Sequence, residues 1–421
     1  MALLTALLVL SFIAAMYMAW TIGANDVANA MGTSVGSGAI SLKRAIIIAG
    51  VFDFLGALLV GGHVSTTIKG GIFDPSAFSD NIYIVYGMFA ALLGTAIFIT
   101  VATYFSIPVS TSHGIVGGIV GFAVTSSLLN FIEFSDISGM KLVEIVISWL
   151  VSPVAGGIFA FITFYIVKRY IMHANKPILA VKKLIPIFVG VVLTILALSI
   201  IYKGLKNLGL GDELPPLTAF TICIAIGFIG ILITVLLVKK VKLRDKETEV
   251  DLIERIFGYL LILTASYIAF AHGANDVANA IGPFAAVISI YNNPTVGIDP
   301  SSTIPIWVLF VGGIAIIIGI STWGYKVIET MGRKITKITP SRGFAATFGA
   351  ATSVLICSRL GMPVSTSHCA VGGVVGVGFV KGAGSIDFRV LKKIGLSWVI
   401  TIPAAALLTV VIFLLLLALT L

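Results

Sequence analysis

Charge is scarce in this chain. Asp, Glu, Lys and Arg make up 11% of its 421 residues, against about a quarter in an average soluble domain, and the mean hydropathy is +1.11. A soluble globular protein is excluded. Cysteine is rarer still: Cys223, Cys357 and Cys369 are odd in number and lie in apolar stretches without metal-ligand spacing. That argues against a disulfide framework and a structural zinc site. Missing too is the period-two alternation of a barrel strand, because runs such as IFLLLLALTL are apolar throughout, so helices fill the bilayer. No basic segment precedes the apolar run from Ala2 to Trp20, which reads as an uncleaved first span rather than a secretory signal.

What fills the chain is a succession of uncharged apolar runs of about 20 residues, each long enough to cross ~30 Å of hydrocarbon. The expectation is an all-α, multi-pass protein of a cell membrane with about twelve transmembrane segments. Breaks between the runs alternate between two faces. Of 27 Lys and Arg, 22 fall on one set of breaks, and four (Lys69, Lys141, Lys203, Lys206) on the other. Basic loops stay in the cytoplasm, so both chain ends are expected outside it. The net charge of +9 therefore reports topology, and no nucleic-acid partner is expected.

The chain repeats itself. GANDVANA at Gly23 returns at Gly273, FAALLGTA at Phe89 returns as FAATFGAA at Phe344, and PVSTSHGIVGGIVG at Pro108 returns as PVSTSHCAVGGVVG at Pro363. An odd number of spans separates the two copies of GANDVANA, so the second half enters the membrane in the opposite sense. The expected organisation is a first inverted repeat over 1–167, a two-helix linker insertion with basic cytoplasmic loops over 168–255, and a second repeat over 256–421. Inverted halves can open one shared site first to one side and then to the other, which favours a carrier over an enzyme.

The polar residues within apolar runs mark that site. Only Asp26, Asp53 and Asp276 of the 18 acidic residues lie deep in such runs, and an unpaired carboxylate there is costly. Asn25 and Asn29 flank Asp26, as Asn275 and Asn279 flank Asp276. Carboxylate, amide and freed backbone carbonyl oxygens would make a hard oxygen cage suited to Na⁺. PVSTSH has the opposite chemistry. Its proline halts a helix, and the hydroxyls of Ser110, Thr111, Ser112 and of Ser365, Thr366, Ser367 precede a run that can restart as one. Hydroxyl donors and unpaired N–H groups at a helix start favour an anion, and two starts from inverted halves would converge on it from broken or re-entrant helices. Ordinary N-capping by Ser110 and Ser365 is the plainer alternative. His113 and His368 read as support around the site.

Two copies of GANDVANA, each followed by PVSTSH, closely resemble the inorganic phosphate transporter family, which includes the type III sodium/phosphate symporters. The resemblance implies a central site where Asn25, Asp26, Asn275 and Asp276 take the cation and the two Ser-Thr-Ser sets take phosphate. GTSVGSG at Gly32 looks like the sodium-coupled branch. Two positions depart from that branch: Asp53 in FDFLG stands where it carries Glu, and Thr347 stands where an acidic residue is expected. Neither PVSTSH copy holds Lys or Arg, so the cation must balance phosphate. Arg359, four positions before Pro363, is expected to snorkel to the outer boundary. The resulting expectation is phosphate import by Na⁺ symport, with no cofactor beyond the co-transported Na⁺, the lipid bilayer as surroundings and room for a homodimer. Proton coupling, sulfate or another oxyanion as cargo and, more remotely, an intramembrane aspartyl protease using Asp26 and Asp276 are the alternatives.

Overall fold

The computed structural model describes residues 1–61, 71–201, 215–298, 304–330, 338–359 and 364–420. Lys69, Lys203, Lys206, Pro363 and the side chain of Arg359 lie outside the described residues. Among those described, the chain is helical apart from one isolated bridge, Phe73 to Ile137. The first half comprises α1 (Ala2–Gly36), α2 (Leu42–Val60), α3 (Ile82–Tyr104), α4 (Thr111–Leu128) and α5 (Gly139–Val167). Then come α6 (Pro177–Ser199) and α7 (Pro216–Lys240), followed by α8 (Glu249–Asn292), α9 (Ile306–Trp323), the short α10 (Tyr325–Glu329), α11 (Pro340–Arg359), α12 (Thr366–Lys381) and α13 (Phe388–Thr420).

Eight of the described helices are long and apolar enough to cross a membrane: α1, α3, α5 with its π-helical extension to Met172, α6, α7, α8, α9 and α13. Other described helices fall outside this set. α4 and α12 have 18 and 16 residues, and each begins at a PVSTSH motif inside the bundle. The carboxamide of Asn25, about eleven residues and hence roughly 16 Å short of the end of α1, holds the first break through Ile107 and Val109. The far ends of α3 and α4 come together again, since Tyr83 stacks on Phe131 at 4.2 Å and Phe73 pairs with Ile137. α3 and α4 are thus two arms of a hairpin, with Val109 and Ser110 buried at the start of α4 and Tyr104, Phe105 and Ile107 exposed at the turn.

The GANDVANA motifs depart from the expectation. α1 runs unbroken through residues 23–36 and α8 runs unbroken through 273–292, so helix continuity replaces the interruptions anticipated there. Small residues keep the ladder intact, and the Asn and Asp side chains find partners sideways on other helices. The backbone carbonyls of these stretches stay in the helix, and the cage is made of side chains.

The halves interlock. α1 packs on α9 of the second half, and α8 packs on α2 of the first. A Cβ on Gly23 would overlap the Ile316 carbonyl, and one on Gly273 would overlap the Asp53 carbonyl. The PVSTSH helices exchange in the same way: α12 packs on α5 and α4 on α13. Small residues let these backbones meet, which in a bilayer substitutes for a hydrophobic drive between helices.

Candidate functional site

At the centre of the interlock lie two aspartates, each about 1% exposed. Asp26 Oδ2 accepts from Thr111 Oγ1 at 2.6 Å. Its Oδ1 accepts from Asn29 Nδ2 at 3.1 Å and lies 3.1 Å from Ser367 Oγ, which comes from the other half. Ser367 Oγ also lies 3.1 Å from the Val109 carbonyl and accepts from Asn29 Nδ2 at 2.8 Å.

Asp276 repeats the arrangement. Thr366 Oγ1 donates to its Oδ2 at 3.2 Å, and Ser112 Oγ, again from the other half, donates to Oδ1 at 3.2 Å. Asn279 Nδ2 reaches both Ser112 Oγ at 2.9 Å and Asp276 Oδ1 at 3.3 Å. Each carboxylate is therefore held by the threonine of its own half and the serine of the opposite half. Charge-assisted bonds on both oxygens offset part of the desolvation cost of a buried carboxylate.

The symmetry fails beside the aspartates. Ile22 precedes the first GANDVANA, whereas His272 precedes the second. His272 Nδ1 contacts Asp53 Oδ1 on α2, and its Nε2 lies 3.1 Å from Asp276 Oδ2 and 3.7 Å from Asp26 Oδ2. One oxygen from each of Asp26 and Asp276 and a ring nitrogen of His272 lie within 4.8 Å of one another. The reciprocal glycine contacts put Ile316 where the second half has Asp53, so the counterpart of the His272–Asp53 pair is apolar. His272 is the residue that the repeat reading overlooked. The signal was available: a histidine replaces Ile22 in the second copy, and Asp53 needed a partner.

The remaining candidates separate by role. Ser110 and Ser365 cap α4 and α12, each accepting from the backbone N–H of the histidine three residues on at 3.3 Å. Their hydroxyls are turned to the helix ends, and Thr111, Ser112, Thr366 and Ser367 face the aspartates. Asn25 makes no contact with Asp26: its Nδ2 donates to Thr103 Oγ1 at 2.8 Å and to the Ile107 carbonyl at 3.1 Å, and its Oδ1 accepts from Val109 N–H. Asn275 Nδ2 donates to Asp276 Oδ1 at 2.9 Å. His113 and His368 meet ring to ring at 4.6 Å, flanked by Trp149 and Trp398. Thr347 pairs with Thr264 at 3.2 Å, where a carboxylate was expected from the resemblance.

Continuous α1 and α8, the break before α4 and a carboxylate–hydroxyl centre shared between interlocked halves are features of a membrane transporter. The sequence profile of the phosphate transporter family matches residues 22–409, and the chain belongs to that family. It is 42% identical over 412 residues to a "Putative phosphate permease" of Pyrococcus abyssi, covering 96% of this chain and 97% of that one. A protein of the same name from Haemophilus influenzae is 40% identical, with 94% and 93% covered. A solved structure described as "The sodium-dependent phosphate transporter" superposes with a TM-score of 0.89 at 37% identity, over 98% of this chain and 99% of that one. The fold and family are those of a transporter and not of an enzyme.

Proposed function

We propose that this chain imports inorganic phosphate together with Na⁺ by alternating access. The observation that supports this most directly is the crossed bridging of Asp26 and Asp276 by Thr111, Ser367, Thr366 and Ser112. A hydroxyl has one proton. For Thr111, Ser112 and Thr366 it goes to a carboxylate. A Na⁺ on the carboxylate would take the same hydroxyl oxygens as ligands and turn their protons outward, toward an oxyanion at the two helix starts. Cation binding then creates the phosphate site, and phosphate in turn strengthens the hold on the cation. In this reading Asp26 and Asp276, with Asn29, Asn275 and Asn279, hold the cations. Asn25 holds the break before α4, and Ser110 and Ser365 cap α4 and α12. The structural neighbour's name carries sodium dependence, which agrees with this assignment.

Proton coupling is the second reading, and His272 is the observation that favours it. An imidazole among Asp26, Asp53 and Asp276 is a group on which a proton could travel. Uptake of labelled phosphate into proteoliposomes separates the two. A sodium gradient at fixed pH should drive accumulation. Accumulation on a pH gradient with sodium rigorously absent would instead assign the coupling to protons.

A further inference from the structure

α5, α12 and α13 line a groove of about 800 Å³ that contains none of the residues bonded to Asp26 or Asp276. Its walls are apolar, among them Gly157 and Phe161, Gly376 and Phe379, Leu391 and Gly395. Ile158, Phe161 and Phe379 stand exposed along it. The groove exists because α5 and α12 touch backbone to backbone: a Cβ on Gly376 would overlap the Gly157 carbonyl. On the α13 wall, a Cβ on Gly395 meets nothing within 4 Å.

Phe161 and Phe379 also line a second cavity, of about 250 Å³, bounded by Tyr165, Lys168, Arg169 and His173. The apolar groove runs directly into this basic pocket. Among the described residues no carboxylate lines either one. Lys168 donates to the Val380 carbonyl at 3.1 Å, while Arg169 and His173 are exposed. On the neighbouring α13, Arg389, Lys392 and Lys393 are exposed as well, and Asp387 is turned to the backbone N–H groups of Arg389 and Val390. From Pro153 at the inner end to Arg169 is about 16 residues of helix, or ~24 Å. Half of a bilayer with its headgroups is roughly 20–22 Å.

We propose that groove and pocket together form a binding site for an anionic phospholipid, with an acyl chain along the α5–α12 seam and the phosphodiester on Lys168, Arg169 and His173. Length and charge both match a lipid of one leaflet. A second copy of this chain would offer the groove an apolar helix and leave the basic groups unanswered. Basic pockets between membrane helices on the cytoplasmic side suit anionic headgroups, and this pocket lies on the face that carries 22 of the 27 basic residues.

Native mass spectrometry of the purified full chain tests this, with equimolar phosphatidylglycerol and phosphatidylcholine of the same acyl composition. Phosphatidylglycerol should be retained in preference, and Arg169→Gln should reduce that preference about five-fold. Gly395→Phe places a ring in open space within the groove and should lower retention of both lipids, while a preserved unfolding midpoint shows the fold intact. Equal retention of the two lipids by the unaltered chain would overturn the proposal without any variant. So would displacement of phosphatidylglycerol by millimolar inorganic phosphate, which would make free phosphate the occupant. Disulfide-linked dimers of Gly395→Cys in vesicles would assign the groove to a second copy and overturn it too.

Discussion

In the first half, Asp26 lies one turn beyond Ile22, and Ile316 of α9 packs against Gly23. In the second half, Asp276 lies one turn beyond His272, which reaches Asp53 of α2 beside Gly273. The threonine and serine around each aspartate correspond in the two halves, as do Asn29 and Asn279, so two similar carboxylate cages are set against unlike backgrounds. Under the proposed alternating access, the shared part is what an exchange between outward- and inward-facing arrangements would require, since each half would have to adopt its partner's contacts. The unshared part makes the two aspartates unequal. Asp276 has an imidazole nitrogen at 3.1 Å and Asp26 has the same nitrogen at 3.7 Å.

Replacing the carboxylates tests the shared part and carries the largest expected effect. Asp26→Asn and Asp276→Asn should each reduce sodium-driven phosphate uptake by about a hundredfold or more, because each removes a charge that holds two hydroxyls at roughly 1.5–3 kcal/mol apiece. Full uptake by either variant in proteoliposomes would remove that aspartate from the cation site. The unshared part is tested by making the second half a copy of the first. His272→Ile leaves Asp53 buried without its partner and should cost about 3–5 kcal/mol of stability. His272→Ile combined with Asp53→Ile should recover much of that loss in thermal unfolding, and a double variant no better than the single would show that the two backgrounds are not interchangeable.

Smaller effects sharpen the comparison. Thr111→Val and Thr366→Val should each weaken phosphate binding by about tenfold or more. The loss should be greater for Thr111, whose bond is 2.6 Å against 3.2 Å for Thr366. Equal losses in an equilibrium binding assay would indicate that the ligand erases the difference. The smallest effect is expected at the caps, where Ser110→Ala and Ser365→Ala should each lower stability by about 1 kcal/mol and change phosphate affinity little. A large loss of affinity with unchanged stability would return these hydroxyls to the phosphate site.

Much of this was legible in the sequence because the signals are local. A carboxylate in an uncharged run of membrane length has to be satisfied by something, which singled out Asp26, Asp53 and Asp276. A proline followed by hydroxyl residues stops and restarts a helix, which located the starts of α4 and α12 at PVSTSH. The duplicated motifs announced two related halves. Helix continuity was harder to read. Asn25 and Asp26 looked like a place where the ladder opens, yet their side chains are satisfied across helices, by Thr103 and the break before α4 in one case and by Thr111 and Ser367 in the other.

Composition, periodicity and charge placement along the chain determined by themselves that this is a helical membrane protein of two related halves with polar groups at two motifs. Each of those properties depends on residues a few positions apart. Which hydroxyl serves which aspartate was decided only by the tertiary structure. Identical PVSTSH segments cannot say that Ser367 belongs to Asp26 and Ser112 to Asp276, because the choice follows from which glycine-lined faces the helices bring into contact. The pairing of His272 with Asp53, 219 positions apart, has the same origin. α8 lies against α2 because Gly56 and Gly273 let the two backbones touch, and that contact carries the imidazole to its carboxylate.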